Sequence, residues 1–388
     1  MPNYFYLCLA LLGLASCSAP QTQISVSNPT PHDYASRIVE ITPAQPSEIA
    51  VFDPAGNPVP SQLLSNGNII FPANVPAGAS AAYTLHADTP TTCEPITYAR
   101  LYTEKMGDLA WENDKIAFRA YGKEYEAIGS TLYGYDLFTK RGAKPVLDAL
   151  YAPEIDPEVV AKYKHLQATD PEAAAYFVKT FSYHLDHGKG MDYYVVGPTL
   201  GCGTSALVPE GGVVYQTYFR DFEILENGPL RTVLTLTYDP VEIAGDMVTE
   251  KRRITLDAGT NFNRIEVTYE GLTKPTKVIA GIVLHDPAEI HQITENTVAY
   301  VEPMHDSGWQ TYLGLIFDNS KMKPVLDMFD EAGRKAHGGA YGHIQAEGVY
   351  SPGDTLVYYM GAGWNGWEFE GYDEWLELIR VAGEMTQF

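Results

Sequence analysis

The sequence predicts an all-β protein built from a small N-terminal β-sandwich followed by a large antiparallel sandwich. Three observations predict it. Short β-forming pieces alternate with turn formers between residues 24 and 88, the pieces lengthen after residue 98, and helix signals are few. Closely spaced strands and turns are the pattern of a sandwich. Long consecutive antiparallel strands need a second sheet to cover their apolar face.

The chain opens on a leader. Leu7 to Leu14 is apolar but too short to span a bilayer, and it runs into Leu14-Ala15-Ser16-Cys17. Small residues before a cysteine read as a signal-peptidase site, so residues 1–16 are expected to be a signal peptide and Cys17 to carry lipid. The segment Met1–Tyr6 departs from that pattern by having no Lys or Arg. Residues 17–23 would be a tether holding the protein at the outer membrane, facing the periplasm.

The small sandwich is expected over 24–88, from Ile24–Val26, Ile38–Ile41, Glu48–Val51, Ile69–Phe71 and Ala82–Leu85. Asn28-Pro29, Asp53-Pro54 and Gly56-Asn57-Pro58 supply the turns, and Thr89–Pro95 the linker. The large domain is expected over 95–388. Its strands include Phe219–Ile224, Leu230–Tyr238, Thr249–Leu256, Arg264–Tyr269 and Val278–His285, with a tight turn after Ala258-Gly259. Asp156-Pro157 and Asp170-Pro171 each pair an N-cap acid with an N1 proline, so two short helices should form an insertion near 155–180. Tyr372–Gly383 should close the chain as a helix.

The 45% hydrophobic content is ordinary for a globular chain, and no later stretch is long and apolar enough to cross a membrane. A formal net charge of -23 repels nucleic acid and long polyanions, so an acidic substrate would have to be short and captured by a local basic pocket. Of four cysteines, Cys8 would be cleaved away and Cys17 lipidated. Cys93 and Cys202 remain; an oxidising compartment would let them pair, but sequence does not show that they meet.

The segment Tyr183-His184-Leu185-Asp186-His187-Gly188-Lys189-Gly190-Met191-Asp192-Tyr193-Tyr194 concentrates titratable groups that could not all be buried cheaply. His184 and His187 are spaced as helical metal ligands would be, but Gly188 and Gly190 oppose a helix and no cysteine ligand is near. No metal and no cofactor is assigned, and an acid/base histidine oriented by Asp186 or Asp192 is the favoured reading. A solvated polar loop is the plain alternative. In a second cluster, Trp111-Glu112-Asn113-Asp114 precedes a strand on which Arg119 and Tyr121 share a face. Trp111 could stack on a sugar and Arg119 grip a carboxylate; the alternative places Trp111 in the core and Arg119 in a salt bridge. A third cluster holds His337, Tyr341 and His343, followed by Tyr358-Tyr359 and Gly363-Trp364-Asn365-Gly366-Trp367. Arg220, His285 and Glu302 stand alone. No P-loop, dinucleotide fingerprint or Gly-x-Ser-x-Gly elbow is present.

These motifs, with Val196-Gly197-Pro198-Thr199-Leu200-Gly201 and Asn227-Gly228-Pro229-Leu230-Arg231, resemble a family of Bacteroidetes lipoproteins from polysaccharide-utilisation loci, a family of unknown function. The resemblance spans nearly the whole mature chain. It implies a galactose-mutarotase-like supersandwich and, through an ulvan-oligosaccharide dehydratase in that family, loss of water from a non-reducing-end uronic acid to leave a 4,5-unsaturated sugar. Residue roles then follow from the chemistry of elimination. His187, or else His184, would take the C5 proton. Arg119 or Arg220, with Asn113, would hold the carboxylate and its developing charge. Tyr194 or Tyr121 would protonate the leaving group, Trp111 and Trp364 would pack the ring, and Lys189, Asp192 and His343 complete the expected substrate site. A glycosidic-bond lyase using the same residues and a non-catalytic glycan-binding lipoprotein are the rival readings, with an epimerase or mutarotase a lesser one.

Overall fold

The computed structural model describes residues 21–43, 48–287, 291–386 and 388. The expected signal peptide and Cys17 lie outside the described residues. Strands dominate and helices are few, as the all-β expectation requires.

The first unit pairs two antiparallel sheets. One contains Gln21–Ser27, Ser80–His86, Ala50–Phe52 and Pro58–Val59; the other contains Tyr34–Ile41, Ile69–Val75 and Gln62–Leu63. Val26, Val51, Phe71, Ala73 and Tyr83 fill the space between them. The two-residue period of Ile69–Val75, with Phe71 and Ala73 fully buried, is the sandwich alternation expected from the sequence.

The large unit sets a nine-stranded sheet against a four-stranded one. The smaller sheet runs Cys202–Val208, Thr276–Leu284, Gly342–Tyr350 and Met322–Met328. Leu234, Ile254, Ile265, Ile282, Leu313 and Ile344 belong to the shared core. The expected turn near Gly259 joins Asp246–Asp257 to Phe262–Glu270 with Thr255 opposite Arg264. Helix Tyr372–Met385 lays Trp375 and Ile379 on Ala299, Tyr312 and Ile316 of the nine-stranded sheet.

A further four-stranded sheet, Tyr98–Tyr102, Asp108–Glu112, Ala117–Ala120 and Asp136–Phe138, positions the site. Its two central strands are buried along their whole length because both faces are covered. Trp111 and Phe118 face the main core, while Ala110, Ala117 and Phe138 pack under a helical layer with Leu147, Leu150 and Tyr151. That layer has three helices: Leu147–Ile155, Pro157–Thr169 and Pro171–Val178. Asp156 and Asp170 cap the second and third, accepting from the backbone N–H groups of Glu158, Val159 and Ala173. The first helix was not expected; Pro153 lies inside it. Its first, otherwise unpaired N–H groups are satisfied by a distant acid: the Glu112 carboxylate accepts from Val146 and Leu147 at 2.8–2.9 Å. Lys140, itself fully buried, pairs with Glu112 at 2.7 Å. Cys93 and Cys202 are free thiols.

Candidate active site

Residues 181–192 form a polar loop tied to the strand end at Thr139–Arg141. Met191 exchanges backbone hydrogen bonds with Thr139, and Arg141 N–H donates to the Lys189 carbonyl at 2.9 Å. Asp192 N–H closes the loop on the Tyr183 carbonyl, also at 2.9 Å. Gly190 has a positive φ of 100°, and a Cβ there would collide with the Thr139 backbone, so this crossing requires glycine. Asp186 is the loop's internal brace: it accepts from Gly188 N–H, Gly190 N–H and the Arg141 Nε. Those donors hold its carboxyl below the usual carboxylate range against the opposing effect of burial. Asp186 therefore serves Arg141 and the loop, and no imidazole.

Beneath the loop lies a buried charge network. Arg119 stands directly opposite Asp136 on the neighbouring strand and pairs with it. Arg119 also reaches Asp192 at 2.8 Å and Asp108 at 3.4 Å. Tyr121 donates to Asp136 at 2.5 Å and Tyr151 to Asp108 at 3.1 Å. Burial pushes the Asp192 carboxyl well above its ordinary range, reinforced by the Asp136 charge and opposed by Arg119. Crowding of carboxylates around one guanidinium thus favours the protonated form of Asp192.

Arg119 is 4% exposed and Tyr121 is 7% exposed, and both are committed to these partners. Arg119 is consequently no carboxylate grip and Tyr121 no proton donor to substrate, contrary to expectation. Trp111 is likewise a core residue instead of a sugar platform: it is fully buried and donates its Nε1–H to Asn263 at 2.8 Å. Asn113 uses its amide to donate to the carbonyls of Asp257 and Thr260 and accepts from Lys115 and Ile116 N–H. It pins a turn and has no donor left for a ligand. Arg220 sits on the surface between Asp239 and Glu126, away from this network. His343 is 1% exposed and accepts from Leu200 N–H at 3.2 Å. Burial, assisted by His337, pushes its pKa down to about 3, so it is a neutral structural imidazole. Lys189 is exposed on the loop.

His184 and His187 lie at the exposed side of the loop. The side chain of His184 is 61% exposed, and its Nδ1 lies 2.8 Å from the Asp192 carbonyl. A carbonyl only accepts, so Nδ1 carries a proton, and among the described residues Nε2 has no hydrogen-bond partner. His187 is held in the mirror sense, with Nε2 donating to the Ser182 carbonyl at 3.1 Å. Next to Asp192, the half-buried Tyr193 hydroxyl accepts from the Thr311 hydroxyl at 2.5 Å. Its own proton is therefore available to another acceptor, and burial raises its pKa, keeping it protonated. The Tyr193 ring packs 4.8 Å from His305.

Thr311 stands opposite Trp364 in the nine-stranded sheet. Trp364 and Trp309 meet edge to face with centroids 5.6 Å apart, and the Arg141 guanidinium lies 4.9 Å from each. Arg141 donates to Asp186 through Nε and to the Gly366 carbonyl through Nη1. Among the described residues its Nη2 has no hydrogen-bond partner. Trp364 is 1% exposed, with Nε1 donating to the Lys140 carbonyl, so the partly exposed aromatic of this pair is Trp309.

Tyr194 has different neighbours from Tyr193. It is buried, its hydroxyl has no hydrogen-bond partner, and its ring lies 5.6 Å from His285. His285 Nδ1 pairs with Glu302 at 2.8 Å, joining two residues that had stood alone in the sequence. Burial opposes charge on His285, but the Glu302 hydrogen bond and charge prevail and raise its pKa. Among the described residues no group of three or more His, Cys, Asp and Glu is arranged to hold a metal ion.

The sequence reading named His187 first and His184 second in this loop, and gave no role to Arg141, Tyr193, Thr311 or Trp309. Arg141 and Trp309 belong to segments far apart in the chain; the Asp186 pair and the Lys189 backbone bond tie Arg141 to the loop, and Trp309 lies against Arg141. Tyr193 lay within the chosen segment but was given no role of its own.

Residues 26–387 match the family described as Domain of unknown function (DUF4861), and the chain belongs to that family. A relative from Formosa agariphila, named Uncharacterized protein P7, is 27% identical over 276 residues, covering 69% of this chain and 62% of that protein. The chain thus spans less than two thirds of that relative's length. Among solved structures, an alpha-mannosidase from Enterococcus faecalis V583 is similar with a TM-score of 0.47 and 8% identity, over 93% of this chain and 45% of that one. A heparan sulfate lyase HepC mutant from Pedobacter heparinus is similar with a TM-score of 0.36 and 10% identity, over 72% of this chain and 37% of that one.

Proposed function

We propose that this member of the DUF4861 family is a carbohydrate-active lyase that removes water across C4–C5 of the uronic acid at the non-reducing end of a short oligosaccharide. The observation that carries the reading is the pair flanking Asp192. His184 is fixed with its Nε2 open to another partner, and Tyr193 is fixed with a proton to give. Elimination needs one group of each kind.

In this reading His184 Nε2 takes the C5 proton, and the electron pair enters the carboxylate as an enediolate. The free Nη2 of Arg141 stabilises that charge beside Trp309, which packs on the sugar ring. The pair then returns to form C4=C5 as the C4–O bond breaks, and Tyr193 protonates the departing hydroxide to water. The acidic net charge favours a short substrate over a long polyanion. Lipidation at Cys17, with the protein held at the outer membrane and facing the periplasm, belongs to the same proposal.

Replacing His184 by Ala tests catalysis against simple binding. A catalyst loses turnover while retaining oligosaccharide affinity; a glycan-binding protein has no turnover in either form. A lyase cleaving the C4 glycosidic bond would use the same residues, and product length distinguishes it.

A further inference from the structure

A groove of about 630 Å³ lies away from the His184 surface, between the small sandwich and the outer face of the nine-stranded sheet. That volume is in the range of a small-molecule site, and a junction between units is a common place for one. Phe262, Ile316, Tyr359 and Leu378 supply apolar wall. We propose that this groove binds the anionic end of a carboxylated or sulfated oligosaccharide through Arg253 and Arg37, as a site separate from the elimination chemistry.

The argument rests on how the lining charges are occupied. Four arginines, Arg37, Arg231, Arg253 and Arg264, face the groove, in a chain whose formal net charge is -23. Five carboxylates also line it, so bulk attraction does not explain a cationic spot; local pairing does. Arg231 is clamped by Asp257 at 2.6 Å and Glu40 at 2.5 Å. Glu226 and Asp33 accept from the backbone N–H groups of Ser65 and Ala77. Glu266 is taken by Arg264 at 2.5 Å.

Arg253 is left with only a 3.7 Å approach to that same Glu266, and its side chain is 45% exposed. Among the described residues Arg37 donates once, through Nη2, to the Met385 carbonyl, and its guanidinium lies 4.8 Å from the Tyr34 ring centroid. Two guanidiniums with unused N–H groups beside an aromatic wall match a planar or tetrahedral oxyanion on a sugar, which arginine binds through paired donors. Neither side chain is held in a close carboxylate clamp, which leaves both with N–H groups for a ligand.

Isothermal calorimetry on the full chain tests this with hexuronate oligomers, sulfated oligomers and neutral oligomers of equal length. Binding of an anionic series should weaken by about tenfold to a hundredfold in Arg253→Ala and in Arg37→Ala, and persist in His184→Ala. Whether the hexuronate or the sulfated arm responds assigns the oxyanion. Turnover in the two arginine variants reports on the elimination reading separately, because neither residue belongs to that site. Equal binding of neutral oligomers, unchanged affinity in both arginine variants, or no binding at millimolar ligand would each overturn the proposal.

Discussion

His184 donates its Nδ1–H to the carbonyl of Asp192 over 2.8 Å, which leaves Nε2 as the ring nitrogen open to another partner. Asp192 is held in turn by Arg119 at 2.8 Å and by the Tyr183–Asp192 backbone bond. A buried ionic network thus orients an exposed imidazole.

Replacing His184 by Ala or Asn should lower turnover by roughly 10²–10⁴-fold, the usual contribution of a positioned acid or base. His187→Ala should cost far less, since that ring is fastened through Nε2 to Ser182 and does not share the Asp192 anchor. Steady-state rates of both variants, with circular dichroism to verify folding, check the assignment.

Tyr193→Phe should lower turnover by at least about 10²-fold with a small change in KM, because the hydroxyl acts on the leaving group. Thr311→Val should have a smaller effect of the same kind, since it removes only the donor that orients that hydroxyl. Tyr194→Phe should leave turnover near wild type: its hydroxyl is buried without a partner. The contrast between adjacent tyrosines is the informative comparison.

Arg119→Met should destabilise the fold by on the order of 3–5 kcal/mol, because it strands the buried Asp108, Asp136 and Asp192 without their cation. Urea unfolding measures this. An Arg119 acting mainly as a ligand grip would instead lose affinity with little loss of stability.

His343 gives a pH signature. Its pKa is pushed down to about 3 in the fold against an ordinary 6.5, chiefly by burial. The unfolded chain therefore binds a proton that the folded chain refuses. This contribution is fully present above pH 6.5 and is lost as pH falls toward 3, by up to about 1.4 kcal/mol per pH unit. Melting temperatures of His343→Gln, which retains an acceptor for Leu200 N–H, should fall less steeply than wild type between pH 6.5 and 4.

The sandwich strands, both proline-led helices and the closing helix were legible in the sequence because each rests on local alternation or capping. The first helix of the helical layer was not, since its cap is Glu112, a residue far back in the chain. The loop holding His184 was legible from its crowding of titratable groups. The division of labour inside it was not, because a lone sequence cannot say that Arg119 is buried under three carboxylates while Arg141 reaches the surface between two tryptophans.

The most direct measurement is to incubate the purified protein with glucuronate-, iduronate- and galacturonate-ended oligosaccharides, following absorbance of the conjugated alkene together with product mass. The account predicts an absorbance rise, loss of one water and no shortening of the chain, all abolished in His184→Ala. Shorter unsaturated products would mean glycosidic-bond elimination instead. No absorbance change with any of the three ends would contradict elimination on these uronic acids and favour a binding role.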